Sequence, residues 1–96
     1  MIDQRSLAIL TSLIHAYVDT SRYKAFIFGS RTGQTHRTYC DLDVGIYGTS
    51  KFPASAFVQL EEALRDSDIP YRTDVVDFDA VSRDFREKAL SRTISL

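Results

Sequence analysis

The stretch FGSRTGQTHRTYCDLDVGIYG, residues 28–48, decides how the chain is read. An apolar run ends at Phe28 and is closed by Gly29-Ser30; Asp41-Leu42-Asp43 then opens a second apolar run, with residues 31–40 between them. Acidic residues are poor strand material, so two of them one position apart need a reason. Side chains alternate along a strand, which puts Asp41 and Asp43 on one face with Cα atoms about 6.5–7 Å apart. Carboxylates at that spacing can converge on a pair of divalent ions about 3.5–4 Å from each other. Without a cation the two charges repel. A solvated strand face presents the same pattern, so the aspartates alone leave the choice open. The Gly-Ser pair narrows it. Gly29 permits a sharp turn or a close backbone approach. Ser30 offers a hydroxyl and an N–H, and backbone N–H groups at a helix start suit phosphate. Arg31 can pair with phosphate oxygens. The combination reads as a phosphate cradle after one strand and a cation-binding pair on the next.

Outward from this stretch, the periodicity supplies the remaining elements. Leu7, Leu10, Ile14 and Tyr17, flanked by Leu13 and Val18, form one helical stripe over about residues 3–19, with Asp3 or Ser6 to cap it. Tyr23 to Phe28 is a short apolar strand ending at Gly29. Residues 30–40 are polar and hold a helical turn or a loop. Leu42, Val44, Ile46 and Tyr47 make a second strand ending at Gly48. Pro53 suits a first helical turn, and Phe57, Leu60, Glu61 and Leu64 carry the stripe to about Asp66. Tyr71 to Phe78 reads as a third strand. Asp79 is positioned to cap a last helix with Val81, Phe85, Ala89 and Leu90 on its inner face. The fold class is α/β, or α+β, with a small sheet flanked by helices.

A third carboxylate is available in the segment YRTDVVDFD, residues 71–79. Alternation puts Asp74 on one strand face and Asp77 and Asp79 on the other. Periodicity alone does not choose between them. Asp77-Phe78-Asp79 lies at the strand end, where a helix cap is its simpler use. Asp74 sits beside Val75-Val76, where a charge most needs a counter-ion. Among other polar groups, His15 borders the first helix's apolar stripe, and His36 and Arg37 belong to the loop over the proposed site. Cys40 has no activating partner in sequence and reads as an inert thiol. Lys24 and Arg72 lie near strand starts and read as solvent-facing.

The chain has 96 residues, the size of one small domain, so residues 1–96 are expected to fold as a unit. Twelve basic residues (Lys and Arg) against thirteen acidic ones give a net charge of -1, which argues against binding duplex nucleic acid through a basic face. It leaves a protein partner plausible. One cysteine excludes an internal disulfide and fits a reducing cytoplasm. No signal peptide is read at the N-terminus and no apolar run has the length of a membrane span.

With Gly29-Ser30, Asp41-x-Asp43 and Asp74 in hand, the sequence resembles the minimal nucleotidyltransferases, small members of the DNA polymerase β-like nucleotidyltransferase superfamily. The likeness covers nearly the whole chain, since the order of elements also matches. Two positions depart from the family pattern: Gly33 stands one place early, with Gln34 where a glycine is usual, and Cys40 replaces a serine before Asp41. Neither touches a metal ligand; both bear on loop shape. The resemblance implies a polymerase β-like nucleotidyltransferase fold. It implies that two Mg²⁺ ions are held by Asp41, Asp43 and Asp74 as the catalytic set, and that ATP phosphates are bound at Gly29, Ser30 and Arg31. It implies transfer of a nucleoside monophosphate to an acceptor hydroxyl. Such proteins are commonly paired with a small helical HEPN protein, and several act as antitoxins that add AMP to a tyrosine of that toxin. Two other readings stay open at this point. One is a catalytically inactive module that neutralises a partner by contact. The other is a nucleotide sensor that binds Mg²⁺-ATP without transfer.

Overall fold

The computed structural model describes residues 2–28 and 42–96, and its elements follow the hydrophobic pattern closely. Helix α1 spans Gln4–Tyr17, strand β1 Tyr23–Phe28, strand β2 Leu42–Gly48 and helix α2 Ala54–Arg65. Strand β3 spans Thr73–Asp77, helix α3 Arg83–Leu90 and strand β4 Ile94–Ser95. The strands form one mixed sheet in the order β3-β2-β1-β4. Strand β2 is antiparallel to β1 and parallel to β3, and β4 runs antiparallel along the other side of β1. A parallel neighbour requires a crossover, which α2 supplies between β2 and β3. The architecture is therefore the expected small mixed sheet flanked by helices.

One sheet face carries the main core. Ala25, Ile27, Leu42, Val44, Ile46 and Val75 alternate onto it and meet Leu10 and Ile14 of α1 and Leu60 and Leu64 of α2. Asp3 caps α1, its Oδ2 accepting the Ser6 N–H at 3.0 Å, while Ser6 itself is buried. Tyr17, expected on the buried stripe, is 39% exposed. The helix ends there, and Val18, in extended conformation, takes the buried place.

The opposite face is smaller and aromatic. Phe26, Phe28 and Phe78 cluster there with Tyr47, Val76, Val81 and Ala89 around them. Phe78 stands edge-on to Phe26 and to Phe28, with ring centroids 4.9 Å apart in both pairs. This explains Gly45 in the middle of β2. A Cβ at Gly45 would lie 2.7 Å from ring atoms of both Phe26 and Phe78. The rings rest on bare backbone, which only glycine provides.

Helix α3 lies over this aromatic face and departs from the sequence expectation in two respects. Asp79 does not cap it. The Asp79 N–H instead donates to Asp77 Oδ1 at 3.0 Å, closing a tight turn of the kind aspartate favours. Ser82 is the cap, its Oγ accepting the Phe85 N–H at 3.2 Å. The proposed inner face is also not buried: α3 contains no buried residue, and Phe85 and Leu90 are 43% and 40% exposed. An eight-residue helix that sets the small Ala89 against the aromatic cluster covers the sheet only partly. Arg86 ties it down. Its Nε donates to the Phe78 carbonyl at 3.2 Å and its Nη2 to the Val81 carbonyl at 3.4 Å. Its guanidinium sits 5.2 Å from the centroid of the Tyr47 ring. Strand β4, which the sequence pattern did not reveal, pairs Ile94 and Ser95 with Ile27 and Phe26. Among the described residues, no helix is long and apolar enough to cross a membrane.

Candidate active site

The site expected from sequence lies where β1 ends and β2 begins. Gly29, Ser30, Arg31 and Asp41, with His36, Arg37 and Cys40, fall outside the described residues. The part that is described is a row across the sheet. Phe28 at the end of β1 is the register partner of Asp43, and Asp43 is the register partner of Asp74. Matching positions on neighbouring strands point the same way, and the strands lie about 4.8 Å apart. The sheet therefore brings Asp43 and Asp74 together on the aromatic face, which is also the α3 face. Asp43 is half-buried and Asp74 exposed, on an edge strand.

The competing carboxylates are directed elsewhere. Asp77 lies three positions beyond Asp74, so alternation turns it to the opposite side of β3, and its Oδ1 is engaged by the Asp79 N–H. Asp79 follows in the turn and is exposed. His15, Lys24 and Arg72 are exposed, as their positions suggested.

A cleft of about 800 Å³ opens between the sheet and α3. Phe28, Asp43, Asp74 and Val76 form its floor. Phe85, Lys88 and Ala89 of α3, and Ser91 and Arg92 just after it, form its wall. The two cations of this wall were not singled out in the sequence. A signal was present: Phe85, Lys88, Ala89 and Arg92 follow the i, i+3, i+4, i+7 spacing of one helical face. The cleft thus joins an acidic pair, an aromatic edge and two basic side chains.

Among the described residues, no cluster of three or more His, Cys, Asp or Glu is assembled for a metal ion. The carboxylate pair is what the described residues contribute. Its donors are all hard oxygens, which is the donor set that Mg²⁺ accepts.

Comparison with known proteins agrees with this fold. The family described as "Polymerase beta, Nucleotidyltransferase" matches residues 16–96. The chain is 35% identical over 86 residues to a Haemophilus influenzae protein named probable protein adenylyltransferase MntA, covering 90% of this chain and 74% of that one. A solved structure described as a minimal nucleotidyltransferase superposes with a TM-score of 0.70 at 25% identity, covering 96% of this chain and 89% of the other. A chain from the complex of tri-AMPylated Shewanella oneidensis HEPN toxin with MNT antitoxin superposes with a TM-score of 0.71, covering 98% of this chain and 71% of that one. At 16% identity this last likeness speaks for the fold alone. The extent of the family match and the identity to the Haemophilus influenzae relative assign the chain to the polymerase beta nucleotidyltransferase family.

Proposed function

We propose that the protein transfers a nucleoside monophosphate, AMP from ATP, to a hydroxyl of a HEPN-type toxin, and that it acts as the antitoxin of that toxin. The observation that carries this reading is the placement of Asp43 beside Asp74 at the mouth of a nucleotide-sized cleft. Further support comes from the relative named an adenylyltransferase and from the fold neighbour in which an MNT antitoxin accompanies an AMPylated HEPN toxin. In this reading residues 1–96 act as one domain, in the cytoplasm.

Asp43 and Asp74, with Asp41 two strand positions before Asp43, would hold two Mg²⁺ ions. Bound there, the ions would supply the positive charge that a triphosphate and an ionising acceptor require. Gly29, Ser30 and Arg31 bind the phosphates through backbone N–H groups, a hydroxyl and a guanidinium. β3 is an edge strand, so a protein acceptor reaches Asp74 from the open side of the sheet. Asp74 takes the proton from the acceptor hydroxyl. The acceptor oxygen bonds to the α-phosphorus, the bond to the bridging oxygen breaks, and pyrophosphate leaves with that electron pair. The residues contribute mainly position and charge.

The test is to incubate the protein with its HEPN-type partner, Mg²⁺ and α-labelled ATP. Label is expected on the partner and is expected to vanish with Asp43→Ala. Absence of label from the wild-type reaction, together with neutralisation that survives Asp43→Ala, would replace the enzyme by a module that acts through contact alone. EDTA-sensitive ATP binding with neither label nor neutralisation would indicate a sensor.

A further inference from the structure

The cleft wall has no assigned role, and its chemistry is specific. Lys88 stands on the same face of α3 as Phe85 and Ala89, Arg92 follows just after the helix, and both line the cleft whose floor carries Asp43 and Asp74. Among the described residues, neither cation makes a hydrogen bond or an ion pair through its side chain. The nearby cation Arg86 behaves differently, bonded to two carbonyls and stacked on Tyr47. One basic residue of this segment therefore holds the helix in place, while two others line the cleft and, among the described residues, have no partner. Two unpaired cations facing a carboxylate pair suit a ligand more negative than the pair itself.

The topology fixes which part of that ligand they meet. β1 runs toward the row of Phe28, Asp43 and Asp74, and the proposed Gly29-Ser30 phosphate turn follows Phe28 directly. β4 then pairs Ile94 with Ile27, one residue before Phe28. Arg92 precedes Ile94 by two residues and is thereby brought to the same end of the sheet. The geometry points to Lys88 and Arg92 as ligands of the nucleotide's terminal phosphates and of the departing pyrophosphate, in the cleft whose floor carries Asp43 and Asp74. This rests on the nucleotidyltransfer reading above for its substrate class. A lysine provides a compact point charge and an arginine a fork of donors, and both bind phosphate oxygens. Charge placed where the leaving group develops it favours bond cleavage as well as binding.

The experiment measures binding of inorganic pyrophosphate to the full chain by calorimetry in Mg²⁺ buffer, alongside ATP kinetics with the HEPN-type partner. Lys88→Met and Arg92→Met are each expected to weaken pyrophosphate about tenfold and the double variant about 100-fold. KM for ATP is expected to rise in parallel. Lys88→Arg and Arg92→Lys are expected to recover most of the loss, and Lys51→Met, a change at an exposed lysine outside the cleft, to leave both quantities unchanged. All these side chains are exposed, and melting curves check that the variants fold. The inference is overturned if the double variant matches the wild type in pyrophosphate affinity and KM, or if the wild type binds no pyrophosphate. Pyrophosphate affinity that falls in the variants, with no transfer by the wild type, removes the adenylyl-transfer reading and leaves this one standing.

Discussion

Asp43 and Asp74 hold matching positions on parallel strands, so the sheet itself, and no loop, sets the separation of the two carboxylates. Like charges placed opposite one another destabilise a strand pair by about 0.2–1 kcal/mol. Under the proposed function, a bound cation would offset that cost. In EDTA, Asp74→Asn is expected to melt slightly above the wild type. Added Mg²⁺ is expected to raise the wild-type Tm and to have little effect on Asp43→Asn or Asp74→Asn. The same variants are expected to lose label transfer by at least about 100-fold. Melting with and without EDTA, together with transfer rates, checks both halves.

The rings of Phe26 and Phe78 rest on Gly45. Gly45→Val forces either ring out of a filled space and is expected to cost about 1–3 kcal/mol, read as a lower urea midpoint at unchanged slope. Because these rings support Phe28 and the cleft floor, the variant is also expected to show reduced nucleotide affinity.

Arg86 joins α3 to the turn after β3 through the Phe78 and Val81 carbonyls. Arg86→Ala removes charge-assisted bonds and a cation–ring contact, an expected loss of about 1–3 kcal/mol. The helix carries no buried residue to compensate. Hydrogen exchange is expected to quicken in residues 83–90 well before it changes in β1 and β2.

At the other end of the fold, Ser6 donates to Asp3 and the Tyr71 hydroxyl donates to it at 2.9 Å. These bonds, those from Ser6 first, lower the Asp3 carboxyl from 3.8 to about 2. A carboxyl depressed on folding stabilises the native state above its unfolded value, and the contribution disappears as pH falls through the folded one. The difference in Tm between the wild type and Asp3→Ala is therefore expected to be full above about pH 5 and to close between pH 4 and 2. A pH series of melting curves measures it.

The elements with a strong period were legible from sequence. The expected α1 over 3–19 and α2 over 53–66 are found as Gln4–Tyr17 and Ala54–Arg65, and β1 has the expected bounds. The alternation of Leu42, Val44 and Ile46 against Asp43 also gave the faces of β2, whereas the pairing of Asp43 with Asp74 is a matter of strand register that periodicity alone did not decide. What escaped was decided by tertiary contact. β4 is two residues long, too short to carry any period, and exists because β1 offers it an edge. Asp79 looked like a cap because nothing in the sequence tells which residue will claim its N–H; Asp77 did. The helical spacing of Lys88 and Arg92 with Phe85 and Ala89 did not single them out, because the carboxylates they face lie some 14 or more positions away along the chain.

The mechanical contrast between the two sides of the cleft has a consequence for how such a protein can change. Its floor is aromatic rings pressed on a residue that has no side chain to trim, so nearly any alteration there is felt throughout the sheet. Its wall is about two turns of largely exposed helix, held by the Arg86 guanidinium and the ring of Phe85. Sequence change should accumulate on that wall, and a designer reshaping the cleft would begin at Phe85, Ala89 and Ser91 and leave the floor untouched.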